Sequence, residues 1–531
     1  MRLSYCITIK RKEAFRVRRI SQRKLARRKR RIEKRLRARH WKDQPGPMLQ
    51  ARHIRYEVAG RARAIGCGGI GALHLLARHV GLPQAIDACV RVFKRHLPYH
   101  ESDHVLNLAY NVLAGGTCIE DLELLRNDEA YLDALGTRRI PDPTTAGDFC
   151  RRFGSEAQVL TLMEAINEVR LSVWKRQPEA LIGQRAVIDA DGSIAPTYGQ
   201  CKAGMDISYD GQWGYHPLVV SLANTKEPLY LVNRSGNRPS HERADEYLDK
   251  ALALCRRAGF GSVLLRGDSD FMQTWKLDGW DDAGGVTFIF GADARKPMIG
   301  RAQALPESAW QRLARPAKYR VKTSPRARPD NVKEQVVRAK GFKNFVLQWE
   351  DVAEFEHRPD LCRRPYRMVV LRKRISVEAG QEKLYEEYAY FFYITNDRAS
   401  GPEQIVFTAN DRCDQENLIE QLKNGVRAMR NPLDNLYSNW AYMVMASLAW
   451  TLKAWCGLLL PATPGRWQAR HRDQGRAVVR MEFKRFADAL VRLPCQVVKT
   501  GRRIVYRLLA WNPWAGALLR LAEAMRLPMR C

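Results

Sequence analysis

The chain has 531 residues, of which 45% are hydrophobic, and carries a formal net charge of +32. That length allows two to four domains with a sizeable core, and the apolar fraction is that of an ordinary globular protein. Twelve cysteines without Cys-x-x-Cys or Cys/His zinc spacing set aside a zinc module and a disulfide scaffold, leaving reduced thiols of a cytosolic protein.

The N-terminal end holds much of the charge. Residues 1–42 contain 19 Lys and Arg against two acids, Glu13 and Glu33. Releasing counterions condensed on DNA favours such a segment as a polyanion-binding arm, and no lipidation motif accompanies it. No signal peptide is expected, because the apolar start ends at Lys10-Arg11-Lys12. Arg16 to Trp41 reads as a charge-dense helix without an apolar face, broken by Gln44-Pro45-Gly46-Pro47. A basic arm over 1–60 is followed by a helical region over 61–180. Leu73-His74-Leu75-Leu76-Ala77 and Leu106 to Leu113 mark packed helices there. Pro141-Asp142-Pro143-Thr144-Thr145 supplies a helix N-cap before Phe149 to Phe153. Arg151 and Arg152 could place this module on DNA, against the alternative of a plain packing domain.

The pattern then turns to strands: Ala186–Asp191, Trp213–Ala223 and Pro228–Asn233. An amphipathic helix over Ala244–Ala258 ends at Gly259, and a fourth strand covers Ser262–Asp268. A helix over Phe271–Asp282 and a fifth strand over Val286–Gly291 complete the unit. This β-β-β-α-β-α-β order predicts a mixed sheet flanked by helices over residues 181–295, with the first and fourth strands adjacent. Alternating stretches at Phe345–Phe355, Tyr366–Ile375 and Leu384–Ile394 predict an inserted β-rich subdomain over 296–390. Helices return from Glu403 to Leu459, giving a second core segment over 391–460. Trp440 to Leu460 is membrane-like in composition but contains Lys453 and Ser447, so a buried core helix is expected and no membrane partner. Residues 461–531 read as a basic helical C-terminal region.

Three acidic positions stand out. Val187-Ile188-Asp189-Ala190-Asp191-Gly192-Ser193 and Val263-Leu264-Leu265-Arg266-Gly267-Asp268-Ser269 are apolar runs ending in carboxylates. Carboxylates there are costly unless neutralised, and a pair of divalent ions would do so. Residues two apart share a strand face, so Asp189 pairs with Asp191 and Asp268 with Asp270. Singly, each also fits a strand-end turn. On a helix from Arg412 to Gly425, Arg412, Glu416, Glu420, Lys423 and Arg427 fall on one stripe. A solvated stripe of ion pairs is the competing reading. His241-Glu242, Trp310 and Trp349 are weaker candidates, and Arg234, Arg238, Arg266 and Arg427 are unranked phosphate contacts.

Asp191-Gly192-Ser193 and Asp268-Ser269 resemble the first two acidic positions of the RNase H-like nucleotidyltransferase fold. Arg412-x3-Glu416-x6-Lys423 is similar to part of a signature of bacterial insertion-sequence DDE transposases, whose leading tyrosine falls here at Ala409. Trp213 to Leu218, Asn233 to Asn237 and Asn417 to Gly425 resemble the subgroup known as transposase DDE domain group 1. The resemblance implies an α/β fold, an RNase H-like mixed-sheet core with an inserted β-rich subdomain, preceded by a helical DNA-binding region. It implies Asp191, Asp268 and Glu416 as catalytic metal ligands, with Asp189 either the first ligand in place of Asp191 or its neighbour. It implies two Mg²⁺ ions, replaceable by Mn²⁺. Arg412, Lys423 and Arg427 would contact DNA phosphates, and the partners would be element ends and target DNA, bound as a homodimer by a cytoplasmic, nucleoid-associated protein. The expected activity is metal-dependent strand cleavage and strand transfer. The alternatives are a nuclease without strand transfer and a non-catalytic DNA-binding protein.

Overall fold

The computed structural model describes residues 21–35, 55–57, 60, 62–96, 98–177, 182–199, 201–315, 335–336, 339–340, 343–379, 382–500 and 503–526. The expected helix over Arg16–Trp41 is described from 21 to 35, where it is helical; its ends and the Gln44–Pro47 break lie outside these residues. The chain divides into two compact units, one comprising 1–177, 199–203 and 420–531, the other 178–198 and 204–419.

The second unit is built on a nine-stranded mixed sheet. Its strands are β1 (Ala186–Gly192), β2 (Leu218–Leu222), β3 (Glu227–Val232), β4 (Val263–Gly267) and β5 (Val286–Ala292), then β6 (Gln311–Arg312), β7 (Lys343–His357), β8 (Tyr366–Ala379) and β9 (Glu382–Thr395). They lie in the order β6-β7-β8-β9-β5-β4-β1-β2-β3. The first three strands form an antiparallel meander, whereas β1, β4 and β5 run parallel. Parallel strands carry helices on their faces and therefore read as continuous apolar runs. Every residue of the parallel strand β4 is buried accordingly, and the antiparallel strands β2 and β3 are buried throughout as well. The first and fourth strands are neighbours, as the strand order predicts.

Among the described residues, five helices accompany the sheet: α1 (Ala244–Ala258), α2 (Thr274–Asp282), α3 (Lys296–Gln303), α4 (Pro402–Asn410) and α5 (Cys413–Glu420). Asp245 and Glu246 open α1, Arg256 and Arg257 close it, and Gly259 ends it at φ 104°. That charge order complements the helix dipole, and glycine tolerates the left-handed turn. The inserted strands β7, β8 and β9 are longer than the sequence pattern predicts and continue the main sheet through β9 against β5. Leu313, Val352, Val369 and Leu371 from this meander pack with Ile405 and Val406 of α4 and with Leu264 and Ile289 of the core strands.

In the first unit a long helix, Leu436–Leu458, is buried over almost its whole length. Its Lys453 Nζ donates to the carbonyls of Val479 and Met481 at 2.7 Å each, at the end of the helix Gln468–Arg480, and lies 3.5 Å from the centre of the Trp450 ring. A buried ammonium so satisfied is a helix C-terminal cap. Among the described residues no helix is long and apolar enough to cross a membrane. Asp142 caps the helix Pro143–Arg151, accepting from the Thr145 N–H at 2.9 Å. Arg151 is engaged with Asp148 and Asp434, and Arg152 lies over the Phe93 ring.

The region after residue 460 is not helical throughout. Cys495–Thr500 and Arg503–Leu508 form an antiparallel hairpin joined by Ala64–Ile65. The β-branched runs Val497-Val498 and Ile504-Val505 favour strands over helix.

His104 is buried in this unit, stacked 4.3 Å from Phe149, and burial holds it down from the usual 6.5 to about 4. The folded protein therefore keeps His104 neutral where the unfolded chain is protonated, so stability falls as pH drops from about 6.5 to about 4. The contribution is up to about 3 kcal/mol. His104→Phe, which preserves the stack, should flatten the melting temperature against pH across that window; an unchanged slope would exclude His104 as a source.

Candidate active site

Residue register builds the site. In the parallel pair β1–β4, Asp189 faces Arg266 directly. Two residues further along both strands the same offset sets Asp191 opposite Asp268, which immediately follows β4. Side chains two apart share a face, so four charged groups line up in two rows at the carboxyl ends of adjacent strands. Ligands of open α/β sheets bind at such strand ends.

The inner row is a closed ion pair. Arg266 Nε and Nη2 donate to the two Asp189 carboxylate oxygens at 2.7 and 2.9 Å, with side-chain exposures of 6% and 1%. Arg266 Nη1 donates to the Thr408 carbonyl at 2.7 Å and so ties α4 to the sheet. Burial pushes the Asp189 carboxyl up, and Arg266 opposes it. Both oxygens of Asp189 are thus occupied by a guanidinium. The unranked phosphate contact Arg266 is a buried strut instead. Arg234 is likewise buried and spent on the carbonyls of His216, Pro239, Ser240 and Glu242.

The outer row is more open. Arg412 Nη1 lies 3.3 Å from Asp191 Oδ2, and Nη2 lies 3.5 Å from Asp268 Oδ2. Side-chain exposures are 17% for Asp191 and 41% for Asp268. Burial pushes Asp191 up to about 7, with the charges of Asp268 and Glu416 adding to the rise and Arg412 opposing it. Burial raises Asp268 as well, again against Arg412. Asp268 Oδ1 accepts from the Asp270 N–H at 3.1 Å, which turns the chain into a short 3-10 segment. Asp270 itself is exposed, because the strand has already ended.

Glycines admit this loop. A Cβ on Gly291 of β5 would come within 2.8 Å of the Ser269 nitrogen and 3.0 Å of the Asp268 carbonyl carbon. The close approach of β5 to the Asp268 turn requires glycine at that point. Sequence reasoning did not identify Gly291, although it closes the fifth predicted strand.

The third acid lies on α5. Gln415 is buried, donates to the Val219 carbonyl at 2.9 Å and accepts from Ser221. Asp414 pairs with Lys226. These contacts dock α5 on β2. Glu416 is exposed, and its charge is felt at Asp191. Among the described residues no three His, Cys, Asp or Glu side chains form a group that could hold a metal ion.

The expected stripe of Arg412, Glu416, Glu420, Lys423 and Arg427 does not continue past Glu420. Arg412 precedes α5, and the α-helix gives way to a π-turn over Gln421–Gly425, which adds a residue per turn. Gln421 accepts from the Phe483 N–H at 2.8 Å, and Arg427 takes a left-handed φ of 54°. Lys423, Arg427 and Glu420 belong to the first compact unit. Trp310 and Trp349 are paired with arginines: Arg372 lies 4.0 Å from the Trp310 ring centre, and Arg374 lies 4.2 Å from that of Trp349. The His241 and Glu242 carbonyls accept from Gln273 and Arg234, and the Glu242 side chain pairs with Arg238, an arrangement that holds a turn.

Acidic side chains thus stand at the ends of adjacent parallel strands of a mixed α/β sheet, and a further acid lies on a following helix. Residues 47–529 match the family described as Transposase DDE domain group 1, and the chain belongs to it. Members of DDE transposase families are polynucleotidyl transferases that use divalent metal ions. No curated protein sequence matches the chain. Among solved structures it is similar to the cryo-EM structure of the piggyBac transposase synaptic complex with hairpin DNA. The identity is 12% and the TM-score 0.30, over 80% of this chain and 82% of the other.

The outer row suits a divalent cation. Its donors are hard carboxylate oxygens converging on one positive group, and burial leaves both short of counter-charge. The inner row does not, since its acid is already neutralised. Removing Arg266 would strand Asp189 as a buried charge. Arg266→Met should therefore cost about 3–5 kcal/mol in urea unfolding, and the double change with Asp189→Leu markedly less. A double variant as unstable as the single one would show that the pair is not coupled.

Proposed function

We propose that this transposase cuts and joins DNA with Asp191, Asp268 and Glu416 as its acidic triad. The observation that carries the reading is the convergence of Asp191 and Asp268 on one guanidinium at neighbouring strand ends. Asp191, with oxygens turned to the open row, is the first ligand, and Asp189 is its buried neighbour. Glu416 completes the set from α5. The ions are two Mg²⁺, with Mn²⁺ able to substitute. When bound, divalent cations supply an activated water or 3′-hydroxyl and stabilise the leaving oxygen.

The chain's own residues prepare the substrate. Arg412, Lys423 and Arg427 take phosphate oxygens, as guanidinium and ammonium groups do at polyanions. The basic residues of the N-terminal arm add sequence-independent affinity for DNA. Burial of Asp191 limits water around its carboxylate, so its charge acts with less screening than that of the more exposed Asp268 and Glu416. The substrates are element ends and target DNA, and the active assembly is a homodimer. Cytoplasmic, nucleoid-associated localisation follows from that substrate.

Labelled duplex carrying the terminal repeats that flank the gene, with Mg²⁺ present, tests the reading. Asp268→Asn and Glu416→Gln should each lower strand cleavage and joining roughly a hundredfold or more while leaving end binding near wild type. Cleavage by Asp268→Asn at the wild-type rate would overturn the triad. Cleavage without joining by the wild type, with target supplied, would make the protein a nuclease, and binding without cleavage a DNA-binding derivative.

A further inference from the structure

The two arginines of the site hold their carboxylates differently. Arg266 grips Asp189 with two bonds at 2.7 and 2.9 Å, in the range of charge-assisted hydrogen bonds. Arg412 spreads one guanidinium over three oxygens at 3.3, 3.4 and 3.5 Å: Asp191 Oδ2, the Ala190 carbonyl and Asp268 Oδ2. Arg266 rises from the middle of a fully buried strand, whereas Arg412 sits in the two-residue turn between α4 and α5. Among the described residues, Arg412 is the basic group paired with both Asp191 and Asp268.

Resting on the metal-holding role proposed for Asp191 and Asp268, we infer that Arg412 is an exchangeable counter-cation. Its guanidinium stands where a divalent cation binds between the two aspartates, and it leaves when that cation enters. The argument is one of shared ligands. The Oδ2 atoms that would ligate a hard cation are those turned to Arg412, and a lone pair directed at an N–H cannot also serve a metal. Without a cation, two carboxylates at strand ends would face each other uncompensated, which the fold does not tolerate cheaply. Arg412 meets that need at distances too long for a strong grip. Its long side chain then carries the released guanidinium only as far as the rim of the site, within reach of a phosphate group arriving there. Metal binding and phosphate binding are thereby coupled through one residue, and the coupling is reciprocal.

The test is Mn²⁺ binding to the DNA-free protein, followed by the electron paramagnetic resonance signal of free Mn²⁺. Arg412→Gln, which removes the competing charge, should bind Mn²⁺ about tenfold more tightly than wild type, with Arg412→Lys in between. Adding a duplex should tighten Mn²⁺ binding to the wild type and do so less for Arg412→Gln. Asp191→Asn should lose the binding in either background. Unchanged or weaker Mn²⁺ binding by Arg412→Gln, with Asp191→Asn still abolishing it, would overturn the exchange while leaving the metal site standing. Retained binding by Asp191→Asn would remove the metal site and the exchange with it. Should Arg412→Gln fail to fold, the Arg412→Lys affinity decides, since equality with wild type contradicts competition by the guanidinium.

Discussion

A carboxylate at the end of an apolar strand is held there only if a cation comes with it, because the desolvation cost reaches several kcal/mol. The central sheet meets that constraint twice, in successive rows of one strand pair. In the inner row Asp189 and Arg266 are register partners and form a closed bidentate pair. The pair also reaches the Thr408 carbonyl, so it fixes α4 against the sheet. Because α4 leads through a short turn to Arg412 and α5, the inner row sets where the outer row's third element begins. The structural ion pair and the candidate catalytic row thus depend on one parallel register. A slip by one residue would turn both rows to the opposite face.

Much of this was legible in the amino-acid sequence. The apolar runs, their terminal acids and the strand order place Asp191 beside Asp268, since parallel neighbours with matched spacing bring their ends together. The antiparallel insertion was legible as alternation, and Lys453 in the apolar helix as a sign of a buried helix rather than a span. What sequence could not decide was the choice between Asp189 and Asp191. The two have the same residue type and share a strand face. They are separated by their neighbour across the strand gap, Arg266 for one and Asp268 for the other, and register is a tertiary fact. One signal pointed that way: an arginine within the apolar run Val263 to Gly267 needs a buried acid, and Asp189 occupies the matching place in its own run.

The helical stripe from Arg412 to Arg427 failed for a local reason. A 3.6-residue repeat presumes a continuous α-helix, and the π-turn at Gln421–Gly425 breaks the phase after Glu420. The side chain of Gln421, engaged by the Phe483 N–H, accompanies that break, and nothing in the spacing announces it. The C-terminal hairpin was missed because its two strands are six residues each and basic side chains interrupt their apolar alternation. Charge was also misleading in detail. Arg234 and Arg266 read as phosphate contacts in a chain of net charge +32, but both are buried and turned to internal acceptors. A strongly basic composition therefore favours polyanion contacts without saying which arginines make them.

The same distinction between closed and open charges separates the parts of the site. On α5, Asp414 and Gln415 are pinned to Lys226 and to β2, while the next residue, Glu416, faces outward. Backbone position at Glu416 is thus determined by two anchors immediately before it, and its carboxylate is left to a rotamer choice. Asp268 has a similar division, one oxygen occupied by the Asp270 N–H and the other turned to Arg412. Asp191 is the most buried of the three acids, so its carboxylate has the least room to adjust. For the triad proposed above, a fold that fixes one acid, half-fixes the second and anchors only the backbone of the third would let the ligands close around an arriving cation. The cost of ordering the last side chain falls on binding rather than on folding.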